Sequence, residues 1–281
     1  MPEGGLPGVL ESFFARRGWT PWAFQREAWA AMAAGRSGLI HVPTGAGKTY
    51  AAFMGALAEV VGEDAGGGAV GGAGLKIVYV TPLRAVARDI ELALRLPIEE
   101  AGLGLRVESR TGDTGSSLRA RQKERLPEVL VTTPESLTLM LTWPDAPARL
   151  GGVVAVIVDE WHELLSSKRG TQVELALARL RRFSPGMRTW ALSATLANLE
   201  EAARAAVGVG RAGDGAAPVI VSASMPRPVE IEALIPSSME AMPWAGHLGL
   251  SMLPGLVEWL EGGTGLRPVS AARPASTAQD V

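Results

Sequence analysis

Cysteine is absent from the 281 residues. That excludes disulfides, thiol nucleophiles and cysteine-based zinc sites. Charge of one sign is also lacking: the formal net charge is −2. The chain as a whole exerts no pull on nucleic acid, so any such binding must come from local patches. No apolar run reaches the about 18 residues of a membrane span. Residues 1–10 lack the charged start and apolar core of a signal peptide. These absences imply a soluble, cytoplasmic protein with no membrane partner. What is present is ample core material, with 47% of residues apolar, and enough length for one large or two small domains.

Leu6–Arg17 and Ala23–Ala34 carry apolar residues at helical spacing. A pattern then repeats, of a short apolar run, a turn and a longer helical segment. The runs are GLIHV (38–42), KIVYV (76–80), EVLVT (128–132), VVAVIVD (153–159), TWALS (189–193) and VIVSA (219–223). They are near-continuous, as strands buried on both faces should be. Helices are predicted between most of them, over 48–61, 83–101, 135–141, 171–183 and 199–207. Strands alternating with helices predict an α/β fold, a mainly parallel sheet with helices on both faces. Residues 62–74 hold seven glycines in thirteen positions and read as a flexible surface loop. The last twenty residues have almost no large apolar side chain and read as a disordered tail.

The run VIVDEWHELL (156–165) ends in two carboxylates, a tryptophan and a histidine. An Asp-Glu pair after an apolar run is, by itself, a solvated strand end. A His-Glu-x-x-His zinc site fails, because His162-Glu163-Leu164-Leu165 is followed by Ser166.

A phosphate loop gives the pair a purpose. Pro43-Thr44-Gly45-Ala46-Gly47-Lys48-Thr49 follows an apolar run and precedes a helical segment. Glycines let backbone amides wrap a phosphate, and the helix start adds its positive end. Lys48 would reach the β- and γ-phosphates, and the Thr49 hydroxyl would ligate Mg²⁺. Val42 stands where the strict motif has its first glycine. Such a loop needs a carboxylate at the end of a neighbouring strand to hold Mg²⁺. Asp159 suits that place. Glu160 can orient and deprotonate the attacking water, which favours hydrolysis over transfer to a small substrate.

VYVTPLRAVARD and VLVTTPESL share a design. Thr81 and Thr133 suit a helix N-cap, and Pro82 and Pro134 suit the first helical turn. Capping alone explains one such site. Two on one sheet edge could track a nucleic-acid backbone, with Arg84 and the segment ESRTGDT (108–114) nearby. Residues 106–125 carry six basic side chains against three acidic ones, an excess that a solvated helix face also explains.

Taken together, these residues resemble the superfamily 2 helicases of DEAD/DEAH type. Within them they are similar to the large helicase-related (Lhr-like) family and its ligase-associated DEXH-box relatives. GWTPWAFQREAW resembles the Q motif, PTGAGKT motif I and TPLRAVARD motif Ia. RTGDT and TTPESL resemble the strand-contacting motifs that follow. DEWH resembles motif II, its tryptophan pointing to the Lhr-like group, and SAT resembles motif III. The resemblance runs from about residue 10 to about 261.

The resemblance implies a RecA-like P-loop NTPase domain over 36–215, preceded by N-terminal helices over 1–35 and followed by a lead-in to a second such domain over 216–261 and the tail 262–281. It implies ATP and Mg²⁺ as cofactors, held by Gln25, Thr44, Gly45, Ala46, Gly47, Lys48, Thr49 and Asp159. Gln25 would bond the adenine edge; Trp19 or Trp22 would stack nearby or, as the simpler expectation, fill an aromatic core. Lys48, Asp159, Glu160 and His162 would be catalytic, with His162 bridging toward motif III and the second domain. Thr81, Pro82, Arg84, Arg110, Thr111, Gly112, Thr133 and Pro134 would meet single-stranded or partly duplex nucleic acid. DNA is favoured, in repair. Ser193, Ala194 and Thr195 would couple the ATP state to that binding.

Motifs IV to VI of the resembled family have no counterpart in the segment after residue 261. The arginine fingers of motif VI would be missing with them, and a second RecA-like domain in trans is a candidate partner. A truncated or frame-shifted product that hydrolyses ATP slowly is therefore expected. The competing reading is a non-catalytic nucleotide- or nucleic-acid-binding module, or a degraded gene product. A phosphate-loop metabolic kinase explains neither Gln25 nor the paired Thr-Pro sites.

Overall fold

The computed structural model describes residues 7–63, 74–208 and 217–224, and four positions between 253 and 258. Two compact units divide the chain, Met1–Met225 and Pro226–Val281. The second contributes only Leu253 and 256–258, all helical. Most of the expected lead-in segment, and the whole expected tail, lie outside the described residues.

Seven strands form one sheet among the described residues: β1 (Gly38–His41), β2 (Ile77–Val80), β3 (Val107–Arg110), β4 (Val129–Thr132), β5 (Ala155–Val158), β6 (Arg188–Ser193) and β7 (Val219–Ser222). Their order is β3-β4-β2-β5-β6-β1-β7, and every neighbouring pair is parallel. Alternation along each strand sorts its side chains into two cores. Ile40, Ile77, Tyr79, Val131, Ile157 and Trp190 face one. Leu39, Val78, Val80, Leu130, Val156 and Val158 face the other. β2, β4 and β5 are wholly buried, which is why they read as unbroken apolar runs.

The first core is covered by α1 (Gly8–Arg16), α2 (Ala23–Ala33), α3 (Lys48–Glu63) and α4 (Ala87–Glu100). α2 lies directly on α3 because Gly55 has no side chain; a Cβ there would collide with the Met32 sulfur. α6 (Pro134–Leu141), α7 (Ala146–Leu150), α8 (Trp161–Leu165), α9 (Lys168–Phe183) and α10 (Leu199–Val207) cover the second core. α5 (Ser116–Glu124) follows the edge strand β3. No helix among the described residues is long and apolar enough to cross a membrane.

Several expectations need correction. β3, α7 and α8 have no counterpart among the expected elements. α9 starts three residues early at Lys168, where the Ser167 side chain accepts from the Gly170 amide. α4 starts at Ala87, not Leu83, so Thr81 is not its N-cap. Residues 62 and 63 belong to α3, while 64–73 of the expected glycine-rich loop lie outside the described residues. β7 pairs with β1, so the sheet runs past residue 215. The basic excess over 106–125 is largely absorbed internally: Arg121 pairs with Glu108, and Arg106 and Arg125 pair with the buried Glu128.

Candidate nucleotide and nucleic-acid sites

All strands being parallel, their C-terminal ends share one edge, and the loops that leave it carry the predicted residues. From β1 the chain turns through Pro43–Gly47 into α3. Gly45 (φ 77°) and Gly47 (φ 91°) supply the left-handed backbone this turn needs. Lys48 opens the helix, is buried, and donates from Nζ to the Val42 carbonyl at 3.0 Å. Burial lowers its proton affinity, and the charges of Glu160 and then Asp159 push it back up. The loop lysine and both carboxylates of the β5 end therefore sit in one electrostatic neighbourhood.

Asp159 follows β5 on the same side as Tyr79, the residue paired with Ile157 across β2 and β5. The Tyr79 phenol donates to Asp159 Oδ2 at 2.8 Å, and the Glu160 amide donates to Oδ1 at 2.9 Å. Burial raises the Asp159 carboxyl above its ordinary range; the Tyr79 hydrogen bond opposes this. Burial raises the Tyr79 phenol well above its ordinary value, and the neighbouring Thr49 side chain opposes that rise. One buried phenol thus bonds Asp159 and lies near Thr49, the two predicted Mg²⁺ ligands. A hydroxyl and a carboxylate are hard oxygen donors and fit Mg²⁺, which keeps waters and takes one or two carboxylates beside phosphate oxygens. Among the described residues no group of three His, Cys, Asp or Glu could form a metal cage without the nucleotide.

Glu160 (φ 46°, ψ 48°) is the one non-glycine residue with positive φ among the described residues. A left-handed glutamate is strained, and strain of this kind gathers at functional sites. His162 Nδ1 lies 3.5 Å from Glu160 Oε2 and 3.1 Å from Ser193 Oγ at the end of β6. His162 therefore joins the DEWH segment to SAT. There the Ser193 hydroxyl also accepts from the Thr195 amide, across Ala194. Trp161 is fully buried and donates from its indole to the Ala202 carbonyl at 2.9 Å, locking α8 onto α10.

Gln25 is buried with both amide ends engaged by protein. Oε1 accepts from the Trp22 amide at 2.9 Å, and Nε2 donates to the Gly47 carbonyl at 3.2 Å. It ties α2 to the phosphate loop. Trp19 and Trp22 are 47% and 52% exposed, so neither is the core aromatic expected of it. Phe13, Phe14 and Trp29 fill that core instead.

A groove of about 960 Å³ lies over the ends of β2, β3 and β4. It brings together Pro82, Arg84, Arg110, Thr111, Gly112 and Thr133. Thr81 and Pro134 do not line it; both are buried beneath. Thr133 caps α6 as expected, accepting from the Ser136 amide at 3.4 Å. The Thr81 hydroxyl instead takes the Leu83 amide at 3.3 Å in a tight turn. Arg110 is seated over the Trp143 ring at 5.2 Å. The groove also recruits Arg119, Arg169, Glu135 and the exposed Leu83 and Leu139, which sequence reasoning did not select. Tyr79 was missed too, although a tyrosine in an aliphatic buried run is a signal, since a buried phenol needs a partner.

The DEAD/DEAH box helicase family matches residues 22–202, well over half of the chain. This chain belongs to the DEAD/DEAH box helicase family. Within the family it is similar to the ATP-dependent helicase Lhr-Core of Methanocaldococcus jannaschii, 37% identical over 82% of this chain and 28% of that protein. It is also similar to the Lhr helicase/probable uracil glycosylase of Mycolicibacterium smegmatis, 38% identical over 72% of this chain and 14% of that protein. The solved structure of the Mycobacterium smegmatis helicase Lhr bound to ssDNA and AMP-PNP superposes with a TM-score of 0.75 at 30% identity, covering 93% of this chain and 33% of that one. A DEAD-box helicase bound to ssRNA and UDP-BeF shares the fold, with a TM-score of 0.61 at 20% identity over 70% of this chain and 40% of that one. The fold is that of a RecA-like helicase domain. The chain spans about a third or less of the Lhr proteins it matches.

Proposed function

We propose that this chain binds ATP with Mg²⁺ at the phosphate loop, hydrolyses it, and couples that cycle to a single nucleic-acid strand held in the groove. The observation that carries the reading is the meeting of Lys48 and Thr49 with Asp159 and Glu160 at one sheet edge, Asp159 held at both oxygens. Lys48 exchanges the Val42 carbonyl for phosphate oxygens, and the amides of Thr44 to Thr49 wrap the phosphates. The second Nε2–H of Gln25 reaches the base, while Gly47 stays fixed through the first. Thr49 and Asp159 hold Mg²⁺, which neutralises phosphate charge when bound. Glu160 takes the proton of a water whose oxygen bonds to the γ-phosphorus as the bond to the β-phosphate oxygen breaks, giving ADP and phosphate. His162 relays the change from Glu160 to Ser193.

The groove residues Pro82, Arg84, Arg110, Thr111, Gly112 and Thr133 meet the strand backbone, with Thr81 and Pro134 supporting them from below. DNA is the proposed strand, supported by the ssDNA-bound Lhr neighbour. Rapid turnover takes an arginine presented by a second RecA-like domain. The setting proposed is cytoplasmic, in DNA repair.

The test is binding. A fluorescent ATP analogue should bind in Mg²⁺ and protect the fold against heat; Lys48→Ala should abolish both effects. Binding that survives Lys48→Ala would reject the site.

A further inference from the structure

Resting on the reading of the groove as a nucleic-acid site, we infer that Glu135 stands in for a backbone phosphate, holding Arg169 in place and competing with the strand for it. Arg169 crosses from α9 to α6 and grips Glu135 as a fork. Nε donates to Oε1 at 2.6 Å and Nη2 to Oε2 at 3.2 Å. A guanidinium presents the same fork to a carboxylate and to a phosphate. Both side chains line the groove, and they are 37% and 50% exposed, so a strand can reach the pair.

The position of Arg169 is the second observation. The first turn of α9 carries Lys168 and Arg169 and no acidic residue. Positive charge at a helix N-terminus opposes the helix dipole. Departures from such local rules gather at functional sites. Glu135, by contrast, sits in the first turn of α6, where an anion is favoured and where Thr133 already caps the helix. The pair therefore marks a place suited to an anion, filled by the protein's own carboxylate. Arg84 and Asp113 also line the groove and pair there at 3.3 Å. The groove's cations are partly neutralised from within, which limits affinity and lets the strand release.

The experiment measures the affinity of a short fluorescein-labelled oligothymidylate for the full chain by anisotropy, across a salt series. Wild type, Glu135→Gln, Arg169→Ala and the double variant are compared, with melting temperatures to confirm that each folds. Glu135→Gln should tighten binding about three- to tenfold, and Arg169→Ala should weaken it by a similar factor. The slope of log K against log salt should become shallower by about 0.7 in Arg169→Ala, the change for one single-strand phosphate that is no longer neutralised. The double variant should match Arg169→Ala, because Glu135 acts only through Arg169. If the wild type binds but Glu135→Gln leaves affinity unchanged or weaker, the pair merely ties α6 to α9 and the inference is overturned. If the wild type does not bind at all, the groove reading itself falls.

Discussion

The Tyr79 hydroxyl donates to Asp159 Oδ2 at 2.8 Å, from the strand next to the one Asp159 ends. With the Glu160 amide on Oδ1, this fixes the carboxylate plane before any metal arrives. Removing the hydroxyl should loosen that plane without opening a cavity. A hydrogen bond to a charged group contributes about 1.5–3 kcal/mol. Tyr79→Phe should therefore raise the Mg²⁺ concentration needed for half-maximal binding of a fluorescent ATP analogue by roughly tenfold. Binding measured in EDTA should not change. Equal losses with and without Mg²⁺ would show that Tyr79 only shapes the core.

Gly47 is doubly constrained. Its φ of 91° suits glycine, and a Cβ would come within 2.8 Å of Gln25 Nε2. Gly47→Ala should lower unfolding stability by about 1–2 kcal/mol and displace Gln25. Nucleotide affinity should fall far more than stability does. A urea melt beside a binding titration separates the two; an alanine variant that binds normally would remove Gln25 and Gly47 from the site.

Glu160 stores strain in its left-handed backbone. Relief by glycine should raise stability about 1 kcal/mol above that of Glu160→Ala. Neither variant should turn over ATP. Equal urea midpoints for the glycine and alanine variants would argue against strain at this residue.

Glu100 clamps α1 to the end of α4 through Arg17, with Arg16 beside it. Hydrogen bonding from Arg17 holds the Glu100 carboxyl below its ordinary value of 4.5. A depressed carboxyl contributes stability that is fully present above its unfolded value and is lost as pH falls through the lower folded value. The acid limb of the melting curve, starting near 4.5, should flatten in Glu100→Gln. At neutral pH the same variant should melt slightly lower than wild type. An unchanged acid limb would mean that the clamp is free to dissolve in solution.

Much of this was legible in the sequence, for identifiable reasons. β2, β4 and β5 are buried on both faces, so their runs are pure in composition. β3 escaped because it is an edge strand, with Glu108, Ser109 and Arg110 only half-buried. Its carbonyls are satisfied by side chains: Arg95 donates to Val107, and Gln122 to Ser109. The two Thr-Pro segments looked alike, yet only Thr133 is followed by an immediate helix. After Thr81 the hydroxyl closes on Leu83 instead of the third residue on, and α4 starts later. Motif residues that adjoin strand ends could be placed from order alone. Arg169 could not, because only the packing of α9 on α6 brings it to Glu135. Gln25 stands out in the sequence, but its bond to Gly47 depends on how closely α2 lies on α3.

The central claim is that the DEWH carboxylates work with the phosphate loop on a strand-coupled cycle. The most direct measurement is ATP hydrolysis by the purified chain with Mg²⁺, with and without single-stranded DNA, beside Glu160→Gln. The account predicts slow turnover that DNA stimulates and that Glu160→Gln abolishes, while ATP still protects the variant against heat. Turnover that persists in Glu160→Gln, or that ignores DNA entirely, would contradict it.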